Sequence, residues 1–311
     1  MPNSSAAPSA GPLAALSDSL SAIVEALGPS TLAVPGRHRR GLASAVVWKP
    51  GVAVTVTHVF RRLPAAISMV DASGKDVEAT LVGMDSSTDV AVFRVPEAAG
   101  APATLGDPAT VKAGSLAIAV GRSGAGDVTA SYGIVNRTSG AWETWLGGQL
   151  DRLIRLDGGV YEGLSGGPVA DASGRVVGIA TSALSRSYGI VVPATTVSRV
   201  VEALLTKGHV PRAFLGIGAQ QVPLPTQSGE SSGVGLLITG LSSGGPAQAA
   251  GMLLGDILVA VDGKSVASLQ ELRAGLSDKV GQPVRVTVHR GGVPMDLQLT
   301  VGQWPTERRR C

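Results

Sequence analysis

A single cysteine, Cys311 at the last position, is all the thiol that 311 residues contain. One cysteine forms no intramolecular disulfide, so the fold does not depend on an oxidising compartment, and a zinc site built on several cysteines is excluded. A terminal thiol can still link two copies of the chain. Aromatic residues are scarce as well, at 3%, which leaves Val, Leu, Ile and Ala to fill any core. Charge is thin and nearly balanced, with 26 Lys and Arg against 23 Asp and Glu. The basic excess collects in three short clusters, Arg37/Arg39/Arg40, Arg61/Arg62 and Arg308/Arg309/Arg310. Without interleaved aromatics these read as solvated surface, and no nucleic-acid partner is expected. No apolar run reaches the roughly 20 residues of a membrane helix. There are four histidines and no H-E-x-x-H, so neither a metal nor another cofactor is expected.

Glycine, by contrast, is abundant: 42 residues, about twice the usual share, set in turns between short Val/Ile/Ala-rich runs. That pattern predicts a mainly β chain of two to three compact units. Gly163-Leu164-Ser165-Gly166-Gly167-Pro168 places a serine in such a turn. Serine is a useful nucleophile only when a base takes its proton and donors await the oxyanion. Here the backbone N–H groups of Gly163 and Ser165 are the candidate donors. Upstream, His58 ends the apolar run Val52–Val56, and Asp89 precedes the run Val90-Ala91-Val92. The order His58, Asp89, Ser165 is that of the chymotrypsin-type double barrel, and differs from subtilisins and α/β-hydrolases. In these roles Ser165 attacks, His58 carries the proton, and Asp89 fixes the imidazole tautomer. Each has a bland reading: a turn serine, a satisfied buried histidine, a strand-opening aspartate. Asp85, four residues before Asp89, is the weaker choice for the relay. His38 lies among arginines, His209 in a linker and His289 in a strand, none with a catalytic neighbour.

With these residues in place, the chain resembles the HtrA/Deg family of trypsin-like serine proteases with a C-terminal PDZ domain. The likeness runs from about residue 41 to about residue 301. It includes Asp85-Ser86-Ser87-Thr88-Asp89-Val90-Ala91, Thr104-Leu105-Gly106-Asp107, Ala117-Ile118-Ala119-Val120-Gly121, Tyr132-Gly133-Ile134-Val135 and Val177-Gly178-Ile179-Ala180-Thr181. Further on, Gly244-Gly245-Pro246-Ala247, Ala250-Gly251-Met252, Gly255-Asp256-Ile257-Leu258 and Val261-Asp262-Gly263 match the family's PDZ signature. Three positions depart from the pattern. Leu164 replaces the asparagine of G-N-S-G-G, Val56 stands where asparagine is common before the base, and Gly121-Arg122-Ser123-Gly124 lacks N-P-F-G.

The resemblance implies a double β-barrel protease domain followed by a PDZ domain of the circularly permuted bacterial type. The expected boundaries are 1–35 for an N-terminal segment with a helix, 36–208, 213–302, and 303–311 for a tail. First-barrel strands are expected near 43–48, 52–57, 67–70, 78–83 and 91–95. The second barrel is expected near 115–120, 128–137, 153–156, 168–170, 176–181 and 189–192, with a helix at 195–207. A substrate strand is expected along Ala180, Thr181, Ser182 and Ala183, with Ile190, Val191 and backbone from Tyr161–Leu164 forming a pocket. Without an aspartate in that pocket, cleavage is expected after Val, Ile, Ala or Leu. In the PDZ domain, Leu215, Gly216 and Ile217 are the expected carboxylate loop, and Leu272 and Leu276, on a helix at 268–277, the groove wall.

The function so implied is an ATP-independent serine endopeptidase acting on misfolded or exposed segments. Its partners are protein or peptide substrates and peptide C-termini, and the family resemblance adds a homotrimer. The alternative is a catalytically silent, peptide-binding or chaperone-like member of the same fold. Trp142 and Trp145 read either as a plug over the second barrel or as part of a regulatory loop. At the N-terminus, residues 1–12 read as disordered. Leu16, Leu20, Ile23, Val24 and Leu27 then recur at helical spacing, opened by Ser17-Asp18 and closed by Gly28-Pro29. No Lys or Arg precedes this stretch and Asp18 and Glu25 interrupt it, so it does not read as a signal peptide. The sequence as written is expected in the cytoplasm, with export the alternative if a leader precedes it.

Overall fold

The computed structural model describes residues 11–35, 42–60, 64–123, 126–224, 233–276 and 279–304. Residues 1–10, His38, the three arginine clusters, Gly124, Ser277 and Cys311 lie outside the described residues. The chain divides into two units between Val210 and Pro211.

The first unit opens with helix α1 (Pro12–Leu27), five residues before the Ser17-Asp18 start expected from sequence. Proline suits the first helical turn, where its missing N–H has no partner to lose. Six strands follow: β1 (Thr31–Pro35), β2 (Leu42–Lys49), β3 (Val52–Val56), β4 (Ala66–Val70), β5 (Asp76–Asp85) and β6 (Val90–Arg94). They close as a barrel in the order β1-β2-β3-β6-β5-β4. Strand β1 is absent from the expected list, which counted residues up to 35 as an N-terminal segment. It pairs with β2 through Leu32↔Ala45 and with β4 through Ala33↔Val70, and so closes the barrel.

The second barrel contains β7 (Leu116–Arg122), β8 (Val128–Ser139), β11 (Leu153–Leu156), β12 (Pro168–Ala170), β13 (Val176–Thr181) and β14 (Ile190–Pro193), in the order β11-β14-β13-β12-β7-β8. Between β8 and β11 a small hairpin of β9 (Trp142–Glu143) and β10 (Gln149–Leu150) stands apart from the barrel. Every residue of β3 is buried, which explains its unbroken apolar run. Ala53 faces the first-barrel core with Leu32, Met69 and Phe93. Val54 and Val56 turn the other way, onto Ile118, Val120 and Val192. Helix α2 (Ala194–Lys207) completes that second layer with Val197, Val200, Val201 and Leu204, one helical stripe. Full burial of those side chains contributes about 1.5–3 kcal/mol each.

The second unit is a sheet of β16 (Ile217–Pro223), β17 (Val234–Leu241), β18 (Ile257–Val261), β20 (Pro283–Arg290) and β21 (Val293–Thr300), in that order, with β19 (Lys264–Ser265) paired to β18. A further pair joins β15 (Ala213–Phe214) to β22 (Gly302–Gln303). Helices α3 (Pro246–Ala249) and α4 (Leu269–Leu276) pack on this unit's own core, which includes Leu236, Ile238, Met252, Leu258 and Val286.

Candidate active site

Register alone brings His58 to Asp89. Strands β3 and β6 pair antiparallel with Val56 opposite Val90, so the residues just beyond that pair meet. Thr57 N donates to the Asp89 carbonyl at 3.3 Å. The Asp89 side chain then collects five hydrogen bonds. Oδ1 accepts from Thr57 N (3.0 Å), Thr57 Oγ1 (2.7 Å) and His58 N (2.9 Å). Oδ2 lies 2.7 Å from His58 Nδ1 and accepts from Thr181 Oγ1 at 2.5 Å. Asp89 is 2% exposed and holds a left-handed backbone, φ 60°, which aspartate tolerates better than most residues. Burial opposes its ionisation, but the hydrogen bond and charge of His58, with the hydroxyls of Thr181 and Thr57, hold its carboxyl below the usual range. Because a carboxylate only accepts, His58 Nδ1 carries the proton and Nε2 is left as the acceptor. Asp85 spends its carboxylate inside its own loop, on Ser87 N, Ser87 Oγ and Thr88 Oγ1.

Ser165 comes from the second barrel, in the turn before β12. That turn is stitched to β13 by Gly166 N→Ala180 O (2.8 Å) and Ala180 N→Gly167 O (3.0 Å). It is tied to the first barrel by Ser44 of β2, whose N donates to Ser165 O (2.8 Å) and whose Oγ donates to Gly163 O (2.6 Å). Gly166 has φ +84°, and a Cβ there would lie 2.2 Å from Ser44 O, so this position requires glycine. Among the described residues, no protein acceptor takes the amide of Gly163 or of Ser165. Both are free for an oxyanion. Leu164 is 4% exposed and packs with Ala117, Ala119 and Val169, while its N and O bond Tyr161 O and Gly167 N. The leucine therefore anchors the turn through apolar contact, and Val56 is likewise fully buried in the core.

Two family models match the chain: the trypsin-like peptidase domain over residues 43–179 and the PDZ domain over residues 213–301. A probable periplasmic serine endoprotease DegP-like protein of Brucella suis is 31% identical over 290 residues, 88% of this chain and 55% of that protein. The serine protease Do-like HtrA of Bacillus subtilis is 31% identical over 289 residues, 85% of this chain and 64% of that one. In both modules and their order the chain is similar to the HtrA/Deg family. It spans between about half and two thirds of the length of these relatives. The HtrA fold is seen also in solved structures. The HtrA-type protease AlgW with a decapeptide superposes with a TM-score of 0.77 at 22% identity, covering 92% of this chain and 99% of that one. The serine endoprotease from Yersinia pestis gives 0.76 at 24%, covering 92% and 98%.

Ser44 and Thr57 also build this site, though nothing in their local sequence points to it, and Arg122 supports it from the segment that departs from the family pattern. Arg122 stands where N-P-F-G is missing and is 3% exposed. Its guanidinium donates to Thr31 O (2.6 Å), Gly28 O (2.5 Å) and Gly126 O, so it ties the end of α1 to the second barrel. Burial pulls its pKa down, and the charge of Asp71 acts against that shift. Its backbone N donates to Ser44 Oγ (2.9 Å), the same hydroxyl that holds the Gly163 carbonyl.

Of the expected substrate edge, Ala180 and Thr181 are fully buried, Ala183 is half-buried and Ser182 is exposed. Ile190 and Val191 pack inside the core clusters and do not line the cavity beside the Ser165 turn. That cavity, of about 180 Å³, is walled by Ala119, Gly133, Val160, Tyr161 and Leu164 together with Asp157, an acidic group the sequence reading did not place there. Trp142 is half-buried against the core, whereas Trp145 is 73% exposed and its Nε1 donates to Ala183 O at 3.3 Å. The two tryptophans therefore do not form one plug.

In the PDZ unit the amides of Leu215 and Gly216 bond no protein acceptor among the described residues, and β16, which begins at Ile217, is an edge strand. Leu272 and Leu276 differ from expectation. They are 4% and 3% exposed and pack with Leu215 in the core, so they do not face an open groove. No group of three or more His, Cys, Asp or Glu among the described residues is placed to hold a metal.

Proposed function

We propose that this chain is an ATP-independent serine endopeptidase that cleaves exposed segments of misfolded proteins, with His58, Asp89 and Ser165 as its triad. The observation that carries this reading is the Asp89 carboxylate bonded to His58 Nδ1 at 2.7 Å, in the same unit as a serine turn with two free amides. Ser165 Oγ adds to the scissile carbonyl as His58 Nε2 takes its proton. The oxyanion accepts from Gly163 N and Ser165 N. The imidazolium, stabilised by Asp89, returns the proton to the leaving amine, and water then reverses the sequence on the acyl-enzyme.

The substrate backbone is proposed to pair with the edge at Thr181–Ala183, and peptide C-termini to bind the Leu215–Ile217 loop beside β16. Cleavage after Val, Ile, Ala or Leu is part of the proposal. A peptide library cut chiefly after Lys or Arg would overturn it and point to Asp157. A homotrimer belongs to the same reading, and sedimentation gives its mass. No described helix is long and apolar enough to cross a membrane. The periplasmic location in the Brucella relative's name fits the exported alternative. Fluorophosphonate labelling together with hydrolysis of an unfolded protein tests the activity. Both are expected in the wild type and absent in Ser165→Ala. A wild type that never labels, even with hydrophobic C-terminal peptides added, would leave the silent binding protein instead.

A further inference from the structure

Ser182 is a hydroxyl that the triad leaves unexplained. It directly follows Thr181, the last residue of β13. Thr181 is fully buried and bonds Asp89, while Ser182 is exposed. Ser182 Oγ lies 3.3 Å from His58 Nε2 and 3.5 Å from Ser165 Oγ. Among the described residues, Ser165 Oγ makes no hydrogen bond to His58. The hydroxyl on the base is that of Ser182.

Resting on the reading of Ser165 as nucleophile and His58 as its base, we propose that Ser182 is a positioning residue that holds His58 Nε2 in the resting enzyme. With Nδ1 protonated toward Asp89, a neutral imidazole offers one lone pair, at Nε2, and one lone pair serves one donor at a time. While the Ser182 O–H donates to it, the Ser165 proton has no base within direct reach. Ser165 is left pointing at the Ser182 oxygen, at a distance where a hydrogen bond is weak. Activation requires Ser182 to release the ring. Because Ser182 sits on the edge where a substrate strand is proposed to add, occupancy of that edge and release of the base are linked through one side chain. Free enzyme is then slow toward small reagents that react at Ser165 without lying along the edge.

The test compares the full chain with Ser182→Ala, Ser182→Thr and Ser165→Ala. The first readout is the second-order rate of fluorophosphonate labelling. Ser182→Ala is expected to label about fivefold faster, the factor that matches one neutral hydrogen bond, and Ser182→Thr, which keeps a hydroxyl, at the wild-type rate. The second readout is the ¹⁵N chemical shift of His58 Nε2 at mildly alkaline pH. It is expected to move in Ser182→Ala and to stay in place in Ser165→Ala. A labelling rate that is unchanged in Ser182→Ala overturns the proposal. So does a rate that falls and is rescued by threonine, which would make Ser182 a proton relay. A shift that follows Ser165→Ala instead overturns it as well. If no form of the protein labels, the protease reading fails, and the Nε2 shift still decides whether Ser182 holds the ring.

Discussion

Five donors converge on the Asp89 carboxylate, and only one of them, His58 Nδ1, belongs to the proton path. The others fix the carboxylate itself, so that it can fix the ring. Asp89→Asn keeps the shape but can present an N–H to Nδ1, favouring the wrong tautomer. Proteolysis is expected to fall about 10⁴-fold, as such changes do in this class of triad, read as kcat on an unfolded protein. The same carboxylate makes a pH prediction. Its folded-state pKa lies below the ordinary value of 3.8, so its contribution to stability is present above that value and is lost as pH falls through the depressed one. The stability difference between wild type and Asp89→Asn, from thermal melts, should be largest near neutrality and shrink below about pH 3.8. A difference that grows on acidification would contradict the assignment.

The β9–β10 hairpin is the element that reaches the proposed substrate edge at Ala183. Thr144 Oγ1 donates to Ser87 O at 2.7 Å, which docks the hairpin on the loop that carries Asp89. Gly148 lies so close that a Cβ would fall 2.3 Å from the same carbonyl. From this fixed base Trp145 extends over Ala183 and occupies its carbonyl, an acceptor that an added strand would use. Trp145→Phe keeps an aromatic ring and removes the N–H. The KM for extended peptides is expected to drop about fivefold with kcat little changed, since one competing hydrogen bond of ~1 kcal/mol is gone. An unchanged KM would show that the indole leaves the edge without cost. Sequence placed two tryptophans in this stretch but could not separate them. Pairing in the hairpin (Leu150↔Trp142) turns one inward, and the turn lifts the other out.

At the scale of the molecule, each unit has its own core: Val54, Ile118 and Val197 share one cluster, Leu236, Leu258 and Val286 another. Asp256 and Arg290 belong to the second. Asp256 is 1% exposed and accepts from Leu253 N (2.9 Å) and from Arg290 Nε and Nη2 (both 2.8 Å). The Arg290 hydrogen bonds hold the Asp256 carboxyl below the usual range, against its burial. Arg290→Ala strands a buried carboxylate and is expected to lower the melting temperature of this unit. Calorimetry should show the C-terminal transition moving while fluorophosphonate labelling of Ser165 is kept. A loss of labelling with the transition unmoved would refute the independence of the two cores.

By itself the sequence determined what depends on short stretches: the order His58, Asp89, Ser165, the apolar runs that become β3, β6 and β13, the glycine turn around Ser165, and the two-module layout. Each is written in residue type and spacing over a few positions, which is where propensity and turn chemistry act. Strand β1 escaped because nothing local separates it from a linker; its pairing with β2 and β4 made it a strand. The same holds for the supports of the site. Ser44 to Gly163 spans 119 positions, Thr181 to Asp89 spans 92, and Ser182 to His58 spans 124. Only tertiary packing decided which hydroxyl met which carbonyl, carboxylate or ring nitrogen. Serine and threonine form such bonds equally well with their own neighbours in the chain, so their identity does not reveal their partners.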